Sequence, residues 1–248
     1  MLRAVSFDFW NTIFIDDSND YLRRSKGLKF KRNERIDILY GIFNKYKPIA
    51  RGKISKALKI ADAYFEKIWK EKQKTPSVSD RLKIASNEIS IKLSESDFNT
   101  AVLDIENQLL KAPPRIISGV KASIQQLSEK YKLVIISDTI YAPGRVLRKL
   151  LEDQNILSLF QVLIFSDEVG YSKPSPEIFQ EAKVKLGLSY NEIVHIGDLE
   201  ENDIIGAKNV GMYAGLFNKN KTKKIETVAD FVFDTYCELS TIIDTIKK

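Results

Sequence analysis

Four short runs, almost wholly apolar, constrain this chain more than any other feature. They are Leu133-Val134-Ile135-Ile136, Val162-Leu163-Ile164-Phe165, Ile193-Val194-His195-Ile196 and Met212 to Leu216. Each is too short for a stable helix and has the continuous hydrophobicity of a strand buried on both faces. A fifth run, residues 3–9, ends at Asp8-Phe9. Between the later runs lie stretches with helical signals: Val120 to Lys130, Val146 to Leu151, Pro176 to Leu186 and Asn202 to Asn209. Pro176 opens its helix and Gly187 follows its end, while Gly211 closes the next. A short strand at Phe231-Val232-Phe233 and a helix from about Cys237 to the end complete the pattern. Buried strands alternating with helices predict an α/β fold, a doubly wound parallel sheet covered on both sides.

Residues 16–112 break that alternation. Four apolar stripes at helical spacing run through them: Ile36, Leu39, Tyr40, Phe43; Ile54, Leu58, Ala61, Phe65, Ile68; Val78, Leu82, Ala85, Ile89; and Phe98, Val102, Ile105, Leu109. Ser94 followed by Asp97 predicts a capping box, and Pro113-Pro114 ends the last helix. The expected organisation is an α/β core made of residues 1–15 and 113–248, with a helical cap inserted at 16–112. Trp69 and the other stripe residues read as core. Arg23, Arg24 and Arg35 read as solvated helix faces.

Composition narrows the function classes. One cysteine, Cys237, excludes an intrachain disulfide and a cysteine metal site, which suits a reducing, cytoplasmic setting. Met1 leads directly into the first strand, so no signal peptide is expected, and no apolar run approaches membrane-spanning length. The formal charge of +6 reads as a lysine-rich solvated surface. The densest basic stretch, Lys219 to Lys224, reads as a loop with no aromatic residues for base stacking, so no nucleic-acid partner is expected. A small anionic substrate suits the charge better.

Ligands of open parallel sheets bind at the carboxyl ends of the strands. Asp8-Phe9-Trp10-Asn11-Thr12 stands at the first such end and Ser137-Asp138-Thr139 at the second. Gly170-Tyr171-Ser172-Lys173-Pro174 follows the third strand, and Gly197-Asp198-Leu199-Glu200-Glu201-Asn202-Asp203 the fourth. Singly, each residue reads as a turn or cap residue. Together they gather carboxylates, hydroxyls and a lysine on one rim. Asp8, Asp198 and Asp203 repel one another when ionised, and a hard divalent cation such as Mg2+ relieves this. Three carboxylates against Mg2+ and Lys173 sum to zero, so a phosphate dianion meets a neutral site. Carboxylates form covalent intermediates, aspartyl-phosphate among them. Lys173, Ser137 and Thr12 are suited to hold phosphoryl oxygens.

In these motifs the chain resembles the haloacid dehalogenase superfamily of hydrolases, over nearly its whole length. Asp8 and Thr12 match the family's first motif, Asp-x-Asp-x-Thr. Ser137 ends the apolar strand of the second. Lys173-Pro174-Ser175-Pro176-Glu177-Ile178-Phe179 matches the third in full, and Gly197, Asp198, Asn202 and Asp203 match the fourth. The resemblance implies a Rossmann-like core with a helical cap between the first and second motifs. It implies Asp8 as nucleophile. Asp198, Asp203 and the backbone carbonyl of Trp10 would surround Mg2+ with it, and the substrate would be a small phosphate ester.

Trp10 departs from the family's pattern. Its phosphatases usually carry there a second Asp, which protonates the leaving group and later activates water. Indole is a donor only and does not titrate near neutrality. The family's haloacid dehalogenases have an aromatic residue at this place, so a 2-haloacid dehalogenase with Asp8 attacking carbon is the alternative reading. Such dehalogenases typically lack the acidic residue matched by Asp198, which this chain keeps together with Asp203. A non-catalytic binding or regulatory protein is the third reading, favoured by Trp10 and opposed by Asp8, Lys173 and Asp198. His195 reads as a strand or core residue, Asp138 as one that orients the second-strand loop, and Glu201 as a first-turn acid favoured by the helix dipole.

Overall fold

A computed structural model of the chain describes residues 1–16, 20–219 and 226–246. It divides into two compact units, Met1–Asp16 with Arg115–Asp138 and Arg148–Lys248, and Asp17–Pro114 with Thr139–Leu147.

The first unit is built on one parallel six-stranded sheet, in the order β3-β2-β1-β4-β5-β6. The strands are β1 (Ala4–Phe7), β2 (Lys132–Ser137), β3 (Phe160–Phe165), β4 (Ile193–Gly197), β5 (Tyr213–Phe217) and β6 (Phe231–Phe233). Every residue of β1 and β4 is buried, as continuous apolar runs covered on both faces require. On one face, Ala4, Val134, Ile136, Ile164 and Ala214 pack with Ile178, Phe179 and Ala182 of a helix at Pro176–Leu186 and with Ile204 and Ala207. The chain winds from β1 through β2 to β3, then returns to the other side of β1 with β4. The winding therefore reverses at β1, where crevices open at strand ends.

Ile15 N–H donates to Arg115 O at 2.9 Å and Ile117 N–H to Ile13 O at 2.9 Å. The chain thus leaves this unit and re-enters it at one place, which is how a long insertion is accommodated without disturbing the sheet.

The second unit consists of α1 (Tyr21–Ser25), α2 (Lys31–Phe43), α3 (Arg51–Lys72), α4 (Val78–Ile89), α5 (Glu95–Glu106) and α6 (Gln108–Lys111). Leu39, Phe43, Ile54, Leu58, Leu82, Ala85 and Ile105 form its core, which the helical stripes anticipate. Trp69 lies half-buried at the edge rather than in this core. The capping box falls at Ser77 and Asp80. Ser94 caps α5 by accepting from Asp97 N–H, but the Asp97 carboxylate turns to Lys45 at 2.6 Å and Tyr46 at 2.7 Å instead of completing the box.

Two arginines are not solvated as their sequence suggests. Arg23 is buried and donates to Lys29 O, Gln108 O and Glu34. Arg35 is half-buried, its guanidinium 3.8 Å from the centre of the Tyr141 ring. Arg81, buried in α4, lies 3.6 Å over Phe65 and 4.1 Å over Tyr141 and donates to Ile140 O at 3.0 Å. Tyr141 also donates to Asp62. These contacts tie Thr139–Leu147 to the helices, a stretch that the sequence boundaries assign to the core. No described helix is long and apolar enough to cross a membrane. Of the basic stretch Lys219 to Lys224, residues 220–224 lie outside the described residues.

Candidate active site

Sheet register brings the rim residues level. Phe7 pairs with Ile135 on one side and Ile196 on the other. Asp8, Ser137 and Asp198 therefore emerge within one or two residues of each other at the same edge. Asp8 N–H donates to Ile196 O at 2.8 Å, which extends the ladder to the nucleophile candidate. The chain then turns back at once. Phe9 O accepts from Ile13 and Phe14 N–H, and Asn11 N–H donates to Phe14 O at 2.6 Å. Asn11 takes a left-handed φ of 52°, which asparagine tolerates better than most residues, and its side chain accepts from Asp16 N–H at 3.0 Å.

This turn buries Thr12 completely and leaves its hydroxyl oxygen without a partner among the described residues. A buried unsatisfied hydroxyl is costly unless something occupies its hydrogen-bonding direction, and a phosphoryl oxygen has the right chemistry. The Thr12 carbonyl accepts from the Tyr236 hydroxyl. Tyr236 is buried, and desolvation together with the charges of Asp8 and Asp198 raises its hydroxyl well above the ordinary range. Sequence reading misses Tyr236, which lies far along the chain in a short turn with no motif around it.

Lys173 is buried, and its ammonium donates to Asp8 Oδ1 and Asp203 Oδ1, both at 2.5 Å. The sequence default for a lysine before proline is a solvated surface residue; here it joins two strand ends. Its backbone N–H donates to Asp138 Oδ1 at 2.9 Å, so Asp138 does orient the loop after β2 against Lys173. Ser137 is buried beside it, its hydroxyl 3.1 Å from Asp138 O.

Asp203 is fully engaged. Its Oδ1 receives Lys173 and faces His195 Nε2 at 3.4 Å, and its Oδ2 receives the N–H groups of Asp198 at 3.1 Å and Leu199 at 3.0 Å. These bonds shape the turn after β4, which continues as a π-helical turn at Glu200–Ile205; such turns often mark functional sites. Gly197 permits the arrangement, since a Cβ there would stand 2.2 Å from the Asp203 carboxyl carbon. That steric need accounts for the glycine before Asp198.

The electrostatics are unbalanced. Burial raises Asp8 well above its usual value and Lys173 opposes this, while Asp203 and Asp198 push it further up. Burial and then Asp203 raise Asp198 to about 7. Burial would also raise Asp203, but Lys173 and His195 overcome it and hold that carboxyl well below the usual range. Burial raises Asp138 to about 6 against the pull of Lys173. Burial would lower Lys173, yet Asp203, Asp8 and Asp138 hold it firmly charged. Asp8, Asp198 and Asp203 each offer an oxygen within 4.8 Å of the others. Three carboxylates against one ammonium leave a charge deficit of two when all are ionised, and an oxygen-only donor set of this kind suits Mg2+. The residues present thus fit the ion.

Asp8, Asp198, Asp203 and Lys173 are brought together directly. Thr12 and Ser137 flank them through the two loops. Trp10 is half-exposed, packed edge-on to Phe9 with ring centres 5.0 Å apart. His195 is buried within β4 as expected, but it also faces Asp203, a contact that its position in an apolar run hides.

A sequence model described as haloacid dehalogenase-like hydrolase matches residues 2–211. A glyceraldehyde 3-phosphate phosphatase of Methanothermobacter thermautotrophicus is 35% identical over 147 residues, 58% of this chain and 60% of that protein. Its namesake in Methanopyrus kandleri is 34% identical over 94 residues, 36% of this chain and 40% of that protein. The matches thus span about half the length of these relatives. Among solved structures, a 2-haloacid dehalogenase from Pseudomonas syringae pv. Tomato DC3000 shares the fold with a TM-score of 0.67 at 16% identity, over 98% of this chain and 99% of that one.

Proposed function

The chain belongs to the haloacid dehalogenase-like hydrolases, and from that premise we propose that it hydrolyses a small phosphate ester through an aspartyl-phosphate on Asp8, with Mg2+ as cofactor. The observation that carries this reading is the buried group of Asp8, Asp198 and Asp203 around one ammonium. Attack at a haloalkane carbon gives no use for so much uncompensated negative charge. Phosphoryl transfer with a divalent cation does. The phosphatase relatives support the same substrate class.

Asp8, Asp198, Asp203 and the Trp10 carbonyl would hold Mg2+. Asp203, whose oxygens already receive three donors and face the His195 ring, would serve more by its charge and by shaping the Asp198 turn. Bound Mg2+ supplies positive charge against the phosphate dianion and favours the ionised Asp8. The Lys173 ammonium and the hydroxyls of Thr12 and Ser137 meet the phosphoryl oxygens. One Asp8 oxygen forms a bond to phosphorus as the ester oxygen leaves with its electron pair and takes a proton from solvent. Water then attacks the same phosphorus, releases phosphate and restores Asp8. We place the protein in the cytoplasm, where its free, exposed Cys237 stays reduced.

Trp10 favours one alternative, a 2-haloacid dehalogenase, because halide leaves without a proton. One panel separates the readings: p-nitrophenyl phosphate and 2-chloropropionate, each with and without Mg2+, with Asp8→Asn as control. Phosphate release that needs both Mg2+ and Asp8 is expected. Halide release without metal overturns the phosphatase reading.

A further inference from the structure

Behind the Asp203 carboxylate lies a hydrogen-bonded row that the mechanism above does not use. Ser6 of β1 and His195 of β4 are register partners on adjacent strands. Both are completely buried. The Ser6 hydroxyl is 2.8 Å from His195 Nδ1, and His195 Nε2 is 3.4 Å from Asp203 Oδ1. The Phe179 ring stands edge-on to the imidazole, 5.4 Å between centres. Side chains alternate along a strand, so Ser6 points to the same side of β1 as Asp8. The row thus lies directly beneath the site.

The donors can be assigned from chemistry. An ionised Asp203 only accepts, so the nitrogen facing it carries the proton. A neutral imidazole protonated at Nε2 has a bare Nδ1, and at 2.8 Å this nitrogen takes the Ser6 O–H in preference to Val194 O, which lies 3.4 Å from the same hydroxyl. Two polar side chains in an otherwise apolar interior are then both satisfied, as buried polar groups need to be.

We propose that Ser6 and His195 form a buried strut that positions Asp203, and through it the Lys173 ammonium, for the reaction on Asp8. Ser6 fixes the imidazole tautomer, and the imidazole fixes the Asp203 oxygen that Lys173 shares with Asp8. Both are positioning residues; neither touches substrate. The role in turnover rests on the phosphatase reading, whereas the strut itself is tested without turnover.

The chain has one histidine, so ring 15N-labelled histidine gives a single pair of ring nitrogen signals. The expected pattern is protonated Nε2 and bare Nδ1, with the Nδ1 signal moving in Ser6→Ala. A ring protonated at Nδ1, or at both nitrogens, overturns the strut. In turnover, His195→Leu should lower kcat about tenfold with little change in KM, the usual scale for losing such a support. His195→Gln, which keeps an N–H toward Asp203, should recover most of it. A His195→Leu protein that melts lower yet keeps kcat shows a purely structural histidine and refutes the positioning role. Wild type inactive on every phosphate ester sinks the functional reading instead, and the imidazole signals still decide the strut.

Discussion

Replacing Lys173 with methionine tests the charge logic of the site. The substitution keeps the length and apolar stem of the side chain and removes the ammonium that Asp8 and Asp203 share at 2.5 Å each. Removing one partner of a buried ion pair costs about 3–5 kcal/mol, because the other charge is left unpaired. Asp8 softens the loss by keeping its proton, since burial already raises it well above the ordinary range; about 3 kcal/mol is then the expectation. For a chain of this size each kcal/mol moves the melting temperature by about 2–4 °C, so the variant should melt roughly 6–12 °C lower near pH 7. The pH dependence has a definite sign. Lys173 holds the folded Asp203 carboxyl below its unfolded value, which adds stability above the unfolded pKa of about 4 that fades as pH falls through the folded one. The gap between wild type and variant should therefore narrow below about pH 4. Calorimetry with and without Mg2+ reads both effects, and Mg2+ should raise the variant's melting temperature more than wild type's. A variant that melts within about 2 °C of wild type near pH 7, or a gap that widens in acid, refutes the argument.

Trp10 cannot protonate a leaving group, so aryl and acyl phosphates should turn over far faster than alkyl phosphates. Trp10→Asp should raise the alkyl rate by about a hundredfold, the lower part of the range for general acid catalysis; equal rates on aryl and alkyl esters in wild type would sink this. Asp198 sits near 7 without metal, so Mg2+ binding near neutral pH should displace protons. Titration calorimetry in buffers of different ionisation enthalpy would then give different apparent heats, and identical heats would show that no proton leaves. The same raised carboxyl keeps a proton that the unfolded chain has lost. The metal-free protein should accordingly lose stability as pH rises from about 4 to about 7, and Mg2+ should reverse that trend.

The sheet was legible because its strands carry a signal that nothing else in the chain imitates. The helix at Pro176–Leu186 and the strand at Phe231–Phe233 fall where the sequence puts them, since proline, glycine and apolar runs act locally. The site residues were legible because four strand ends present them in order. What stayed hidden depends on contacts distant in sequence. Tyr236 reaches Thr12 O across 224 positions. Arg23 is buried because its guanidinium finds two carbonyls and Glu34, a matter of partners and not of helical periodicity. Arg81 holds Thr139–Leu147 to the helices through Ile140 O, and no turn residue announces that. The capping box expected at Ser94 is left half-made for a comparable reason: Lys45 and Tyr46 take the Asp97 carboxylate.

In the proposed mechanism the backbone carbonyl at position 10 holds metal while the side chain would do acid–base work. A tryptophan there removes the second role and leaves the first, because every residue has a carbonyl. The remaining groups are arranged for charge: Asp8 is disfavoured as an anion until a cation joins Lys173 beside it, and the buried Thr12 hydroxyl has no partner among the described residues. Such a site is well equipped to form the phospho-aspartate and poorly equipped to hydrolyse it, since water attack also calls for a base. The slow step should then fall after Asp8 is phosphorylated. With a good leaving group this gives a burst of one product equivalent per active site before the steady state, and a strictly linear time course from the first turnover would place the barrier at Asp8 attack instead.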